Sequence, residues 1–350
     1  IIGQGGVAYT LTTSNVELTS SSGFAVMLNA ADQMVIEGLL NRNGAIAVDS
    51  TTFQIVAEAD WNPAQSGNAA ATSNTIAVSN VQTPAISSAT YNASTGVLTV
   101  TGSNLVKASG TSNDVDVSKF TFTGEGGVTY TLTNSSDVEI TSGTVFSVTL
   151  SSTDKAAVNQ IINKNGTSST SATTYNLAVA DDWNTVIGNA NISDATGNGI
   201  TVSNVAAPAI TSATYDANTG ALVVMGAGFL SLSGAANDID VSKFTFTGEG
   251  GMTYTLTDSA DVEIISGTAF TIILSSTDKT AVNLLLNKAG TASTDATIYN
   301  LAAAEDWASG ADVATIVTDT VANSMTVSVP PTSSGGQNTD SIVSFTVDGS

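Results

Sequence analysis

The chain repeats itself, and that limits its fold more than any other feature. GVTYTLT, starting at Gly127, returns as GMTYTLT at Gly251, 124 residues on. The same step carries Asp114-Val115-Asp116 to Asp238-Ile239-Asp240, and Ile86 through Tyr91 to Ile210 through Tyr215. A third copy is incomplete. Its Gly6-Val7-Ala8-Tyr9 matches the segment from Gly127 at an offset of 121, and Trp61 corresponds to Trp183 and Trp307. Ile1-Ile2-Gly3 aligns with Phe122-Thr123-Gly124, so this copy lacks about the first third of a repeat. The expected organisation is a truncated repeat at 1–82, full repeats at 83–206 and 207–330, and a flexible linker with a tail strand at 331–350. A unit of this length can bury its own core, unlike a short solenoid repeat. Pro84, Pro208, Pro330 and Pro331 mark the junctions. Proline fixes φ and removes a donor, so strands stop there and the links are stiff.

Within a repeat the hydrophobic period is two. Val128, Tyr130 and Leu132 alternate with threonine, as do Phe146, Val148 and Leu150 with Ser and Thr, and Tyr175, Leu177 and Val179 follow suit. Such segments are half-buried strands. Tyr91 through Gly96, leading into Val97, Leu98 and Val100, predicts a hairpin turning at Ser94-Thr95-Gly96. About seven strands per repeat, each with one polar and one apolar face, predict an all-β fold of antiparallel sandwiches. One segment changes period. Ser151 and Asp154, then Ala157, Val158, Ile161 and Ile162, then Gly166, predict a capped short helix with Gly166 as its stop. Asn29 to Gly44 and Ser275 to Gly290 repeat the pattern.

Composition excludes several chemistries. The 350 residues include neither cysteine nor histidine, which removes disulfides, thiol nucleophiles, Ser-His-Asp triads and imidazole-based zinc sites. Only 11% of residues are charged, with 8 Lys+Arg against 30 Asp+Glu, a net charge of −22. Such a chain repels nucleic acid and anionic membranes and attracts cations. No apolar run is long enough to span a membrane. The start at Ile1, without a methionine or a signal sequence, is expected of a processed product or a piece of something longer.

The carboxylates recur by position. Asp154 and its counterparts read as favourable first-turn helix charges. Asp137 and Glu139, with Asp261 and Glu263, read as a solvated strand face. Around Asp114, Asp116, Asp238 and Asp240 the pattern is more informative. Val115 and Val117 are odd-numbered whereas Phe120 and Phe122 are even, so the inward face switches phase near Ser118 and requires a bulge, bend or loop. Paired acids beside such an irregularity are potential oxygen ligands for Ca2+. Asp181-Asp182 and Glu305-Asp306, each preceding a tryptophan, form a second candidate cluster. Gly124-Glu125-Gly126-Gly127 lacks the lysine of a phosphate loop and leads into a strand, so it reads as a tight turn. The repeated tryptophans read as core or cap.

The segments Asn113 through Gly124 and Ala213 through Gly220 resemble the tandem Ig-like β-sandwich repeats of large bacterial cell-surface proteins of the adhesin and surface-layer type. The resemblance implies an extracellular, structural role, often with calcium, and assigns no catalytic residue. The expected function is a non-catalytic rod, filament or surface-layer subunit whose partner is itself. The alternative is an adhesin stalk or binding module, with surface glycans as partner. The tail adds a specific expectation: Ser344-Phe345-Thr346-Val347-Asp348-Gly349 resembles Lys119-Phe120-Thr121-Phe122-Thr123-Gly124. Phe345 and Val347 would be the inward pair of a strand donated head to tail.

Overall fold

The computed structural model describes residues 1–108, 110–187, 191–232, 234–312, 317–320 and 323–329. The linker and tail expected at 331–350, with Phe345 and Val347, lie outside the described residues. The chain divides into two compact units, one built mainly on Ile1–Ala207 and the other on residues from Pro208 onward.

Both units are mostly β. In the first, α1 (Ala30–Leu39), β1 (Gln54–Ala57) and β2 (Ala71–Thr75) belong to the incomplete repeat. They are followed by β3 (Ala85–Asn92), β4 (Val97–Ser103), β5 (Phe120–Thr123), β6 (Thr129–Thr131), β7 (Val145–Thr149), α2 (Ser152–Ile161), β8 (Asn176–Val179) and β9 (Gly199–Ser203). β1 and β2 pair with each other, and the other seven strands run in the order β6-β5-β8-β9-β3-β4-β7. β3 and β9 are parallel, whereas the other pairs are antiparallel.

The second unit contains β10 (Ala209–Asp216), β11 (Ala221–Ala227), β12 (Phe244–Thr247), β13 (Thr253–Thr255), β14 (Ile264–Ser266), β15 (Ala269–Ile273), α3 (Ser276–Leu285), β16 (Asn300–Ala303) and β17 (Ser324–Val329). Its order, β13-β12-β16-β17-β10-β11-β15-β14, matches the first unit's sheet strand for strand, with β14 added at one edge. The parallel pair is again first strand against last.

Side-chain contacts show how the seven strands are disposed. β5 and β7 stand five places apart in hydrogen-bonding order, about 24 Å if the sheet were flat. Yet the Phe120 and Phe146 rings lie 6.0 Å apart, both buried and edge to face, with Trp183 against each at 6.1 Å. The strands therefore curl into two layers around an aromatic core. Phe244, Phe270 and Trp307 repeat the cluster in the second unit.

Local chemistry accounts for the connections. The β3–β4 hairpin turns at Gly96, whose φ of 75° favours glycine, while Asn92 Oδ1 accepts from the N–H groups of Ser94 and Thr95. The phase switch near Ser118 is a single 3-10 turn over Val117–Lys119. It lets Val115, Val117, Phe120 and Phe122 all reach the core. Each helix begins where expected, with Asn29, Ser151 or Ser275 accepting from the third residue beyond it. Gly166, however, is not the helix stop. α2 ends at Ile161, and Gly166 exchanges both backbone hydrogen bonds with Val202 instead.

Candidate functional site

The most elaborate polar constellation recurs three times, at Asp32, Asp154 and Asp278. These side chains are fully buried, although the sequence presents them as ordinary first-turn helix charges. Asp154 Oδ1 accepts from Tyr130 Oη at 2.8 Å and from the Thr133 N–H at 3.1 Å. Its Oδ2 accepts from the N–H groups of Asn134 and Ser135, at 3.0 and 2.7 Å, and from Ser135 Oγ at 2.6 Å. Asp278 takes the same contacts from Tyr254, Thr257, Asp258 and Ser259. Asp32 is held by a related but smaller set: Tyr9 Oη and the N–H and hydroxyl groups of Thr12 and Thr13. Each carboxylate thus clasps the loop after one strand to the start of the helix. Burial alone would push the Asp154 carboxyl up. The Ser135 hydroxyl, the Thr133 N–H, the Tyr130 hydroxyl and the Asn134 N–H outweigh it and hold the group well below the usual carboxylate range. The legible signal was the joint recurrence of Tyr-x-x-Thr and, some twenty residues later, the helix-start aspartate.

Glu125 is a second clasp. It lies buried in a turn whose Gly126 and Gly127 have φ of 60° and 78°. Its Oε2 accepts from Asn163 Nδ2, Thr170 Oγ1 and the Ser171 N–H. Gln4 does the same in the first repeat, where Oε1 accepts from Asn41 Nδ2 and the Asp49 N–H, so the contact requires an acceptor and not a charge. Gly124 precedes this turn because a Cβ there would lie 2.1 Å from Ile161 O; at Gly3 and Gly248 the distances to the matching helix-end carbonyls are 2.2 and 2.4 Å.

The carboxylates singled out as Ca2+ ligands have other partners. Asp114 is buried, with Oδ1 accepting from the Ala108 N–H at 2.7 Å and Oδ2 from the Ile140 N–H at 2.8 Å. Burial raises its pKa, and the nearby Glu139 carboxylate adds to the rise. Glu139 is accordingly no plain solvated residue: it caps the Asn113 N–H at 2.9 Å and stands 3.9 Å from Lys107 Nζ. Asp116 points elsewhere, accepting from Ser118 N–H and Oγ to cap the 3-10 turn. Asp238 accepts from the Ile264 N–H and Asp240 from Ser242 in the same manner. Asp182 and Asp306 adopt φ of 61° and 62°, the left-handed conformation that short polar side chains tolerate, as does Asp60. Asp181 Oδ1 accepts from the Ile192 N–H, and Glu305 from the Val317 N–H. Asp114 and Asp116, like Asp238 and Asp240, take separate donors, and among the described residues no three acidic side chains converge on a cation-sized site.

The tryptophans separate the first repeat from the others. Trp183 and Trp307 are fully buried, their Nε1 donating to Ile192 O and Val317 O. Trp61 is 44% exposed and stacks on Phe24, which is 47% exposed, at 6.0 Å. Around them Leu11, Val16, Leu18, Val26 and Ala57 line a cavity of about 290 Å3. Their counterparts in the second repeat, among them Ile140, Phe146 and Val148, are sealed in the core. The aromatic pair is thus half-exposed here and buried in the other two copies.

Among the described residues no helix is long and apolar enough to cross a membrane. No protein-family model and no curated protein matches the chain. Solved structures do, 22 chains in all. One, described as "Biofilm associated protein - BSP domain", is 17% identical over 70% of this chain, with a TM-score of 0.17. The match spans 29% of that structure's chain.

Proposed function

We propose that the chain is a non-catalytic, extracellular structural protein: a rod of tandem Ig-like β-sandwich domains that assembles head to tail into a filament or surface layer. The observation that carries this reading is the threefold reconstruction of one scaffold, down to the tyrosine hydroxyl that donates to Asp32, Asp154 and Asp278. Machinery repeated in every copy serves the scaffold. The Ig-like assignment is supported by the parallel first-to-last strand pairing and by the two layers closing on a buried tryptophan. Few charges and a net −22 suit a secreted, solvent-facing polymer. Electron microscopy of the purified chain, together with hydrolysis assays on a polysaccharide panel, tests the proposal. Ordered polymers without hydrolysis are expected; turnover of any glycan would refute it.

A further inference from the structure

We propose that the outer face of β11 and β15 in the third repeat is a lateral contact, through which two copies of this chain pair side by side about a two-fold axis. The contact goes beyond the head-to-tail reading and does not depend on it.

The second and third repeats fold onto one scaffold, so a difference between their surfaces is not dictated by the fold. β11 pairs with β15 over Ala221–Met225 and Ala269–Ile273 in unbroken register. Leu222, Val224, Phe270 and Ile272 are buried in the core. The alternate residues face out: Val223 opposite Thr271, Met225 opposite Ala269, and Ile273 opposite Ala221. Val223, Met225 and Ile273 are 38%, 43% and 61% exposed, and Ile265 on the adjoining edge strand β14 is 74% exposed. At a step of 124 the second repeat places Thr99, Thr101, Thr149 and Thr141 in those four positions. Threonine suits the solvated face of a strand, where its hydroxyl meets water or a neighbour. Thr99 accordingly shares a hydrogen bond with Ser147 across the strands. Among the described residues the second repeat exposes one large apolar side chain, Val128, whereas the third exposes seven. Both surfaces ride on the same sheet, so the exchange serves something outside the repeat.

Shape, area and charge identify the occupant. Val97 and Val145 of the second repeat become Ala221 and Ala269, which leaves small residues beside Ile273 and Met225. Large and small side chains therefore alternate, and the ridges of one such face fit the dips of another. The four large side chains expose roughly 400 Å2, the scale of a functional patch and about half of what one partner gives to an ordinary interface. Ser212 and Thr214, opposite Met225 and Val223, extend it with uncharged surface. No ionisable side chain stands on the face until Asp216 at the end of β10. On a chain of net −22, a second copy can approach here without like charges meeting. A face without lysine or arginine gives an anionic lipid nothing to bind, and one without an aromatic ring gives a sugar no platform. The same patch on both partners makes the contact isologous and closed, unlike a propagating head-to-tail joint.

The chain contains no cysteine, so single introduced thiols report the contact cleanly. Full-length Thr271→Cys, at the centre of the face, and Ser147→Cys, its counterpart in the second repeat, are oxidised side by side under mild conditions. Thr271→Cys is expected to form disulfide-linked dimers at least 10-fold faster, because pairing raises the effective thiol concentration. Adding Val223→Thr, Met225→Thr and Ile273→Thr should return it to the Ser147→Cys rate. These are the residues that the second repeat already carries in a folded sheet, and an unchanged circular-dichroism spectrum confirms that the variant is folded. Equal rates for the two thiols overturn the contact. A monomer in which Thr271→Cys is shielded from maleimide overturns it too, assigning the cover to this chain itself. Flotation with phosphatidylcholine vesicles, without dimers and lost in the threonine variant, assigns the face to lipid and also overturns it. Single-file polymers with equal rates would refute the lateral contact alone, whereas rapid cross-linking without polymers would refute head-to-tail assembly alone.

Discussion

Replacing Asp154 by asparagine separates two explanations of the aspartate that opens each helix. If Asp154 only complements the helix dipole, neutralising it costs about 0.3–1 kcal/mol. The structure requires more. Oδ2 accepts from two backbone N–H groups, Asn134 and Ser135, and Oδ1 from a third, Thr133. An amide can present its oxygen to one side only, so its NH2 group must face at least one set of donors. With the amide oxygen in the Oδ2 seat, the Thr133 N–H is left unsatisfied at about 1–3 kcal/mol, and the bonds from Asn134 and Ser135 fall from charge-assisted to neutral strength at about 1 kcal/mol each, for a total of roughly 3–5 kcal/mol. For a unit of this size, that lowers the midpoint by about 10–15 °C. Calorimetry at pH 7 reads the shift in the transition of the second repeat, with Asp182→Asn as a control that removes one charge and keeps a left-handed residue. The pH dependence supplies the sign. The folded-state carboxyl sits below its unfolded value of about 4, so its stabilisation is complete above pH 4–5 and is lost as pH falls towards the folded pKa. Wild type should therefore lose stability between pH 5 and 2 more steeply than Asp154→Asn, and the two should converge in strong acid. A midpoint shift under 3 °C at pH 7, or parallel acid limbs, would refute the clasp.

Three further outcomes follow from the same structure. Gly124→Ala should destabilise the second repeat by about 1–3 kcal/mol in urea titrations, because the new Cβ meets Ile161 O at 2.1 Å; an unchanged midpoint would mean that the turn relaxes freely. Millimolar CaCl2 against EDTA at constant ionic strength should shift the melt by less than about 2 °C, since Asp114, Asp116 and Asp181 already accept from backbone N–H groups; a large stabilisation would reveal a cation site among the carboxylates. With −22 on every copy, self-association should strengthen as NaCl rises from about 10 to 150 mM through screening; light scattering that falls with salt would show that attraction between charges drives assembly.

The sequence disclosed the repeat, the strand alternation, the helix starts and the irregularity at Ser118, because each is a local pattern with one physical solution. It concealed what depends on residues meeting across the fold. Asp154 looks the same on paper whether it faces water or three amides twenty residues away. Glu139 alternates with inward valine and isoleucine, yet turns beside Asp114. Gly166 resembled a helix stop because Asn165-Gly166 is a strong turn signal, whereas Ile162 ended the helix without glycine. The aspartates before the tryptophans looked like ligands; the left-handed backbone at Asp182 and Asp306 is a sufficient reason for their residue type. The exposure of the Phe24–Trp61 pair was equally hidden, because Trp61 reads like Trp183 and Trp307 in the sequence.

Negative-stain electron microscopy of the purified chain, across a concentration series at about 150 mM salt, tests the structural account most directly. The account requires long polymers or a lattice with a regular axial repeat, growing with concentration. A field of single, unassociated particles at every concentration would contradict it.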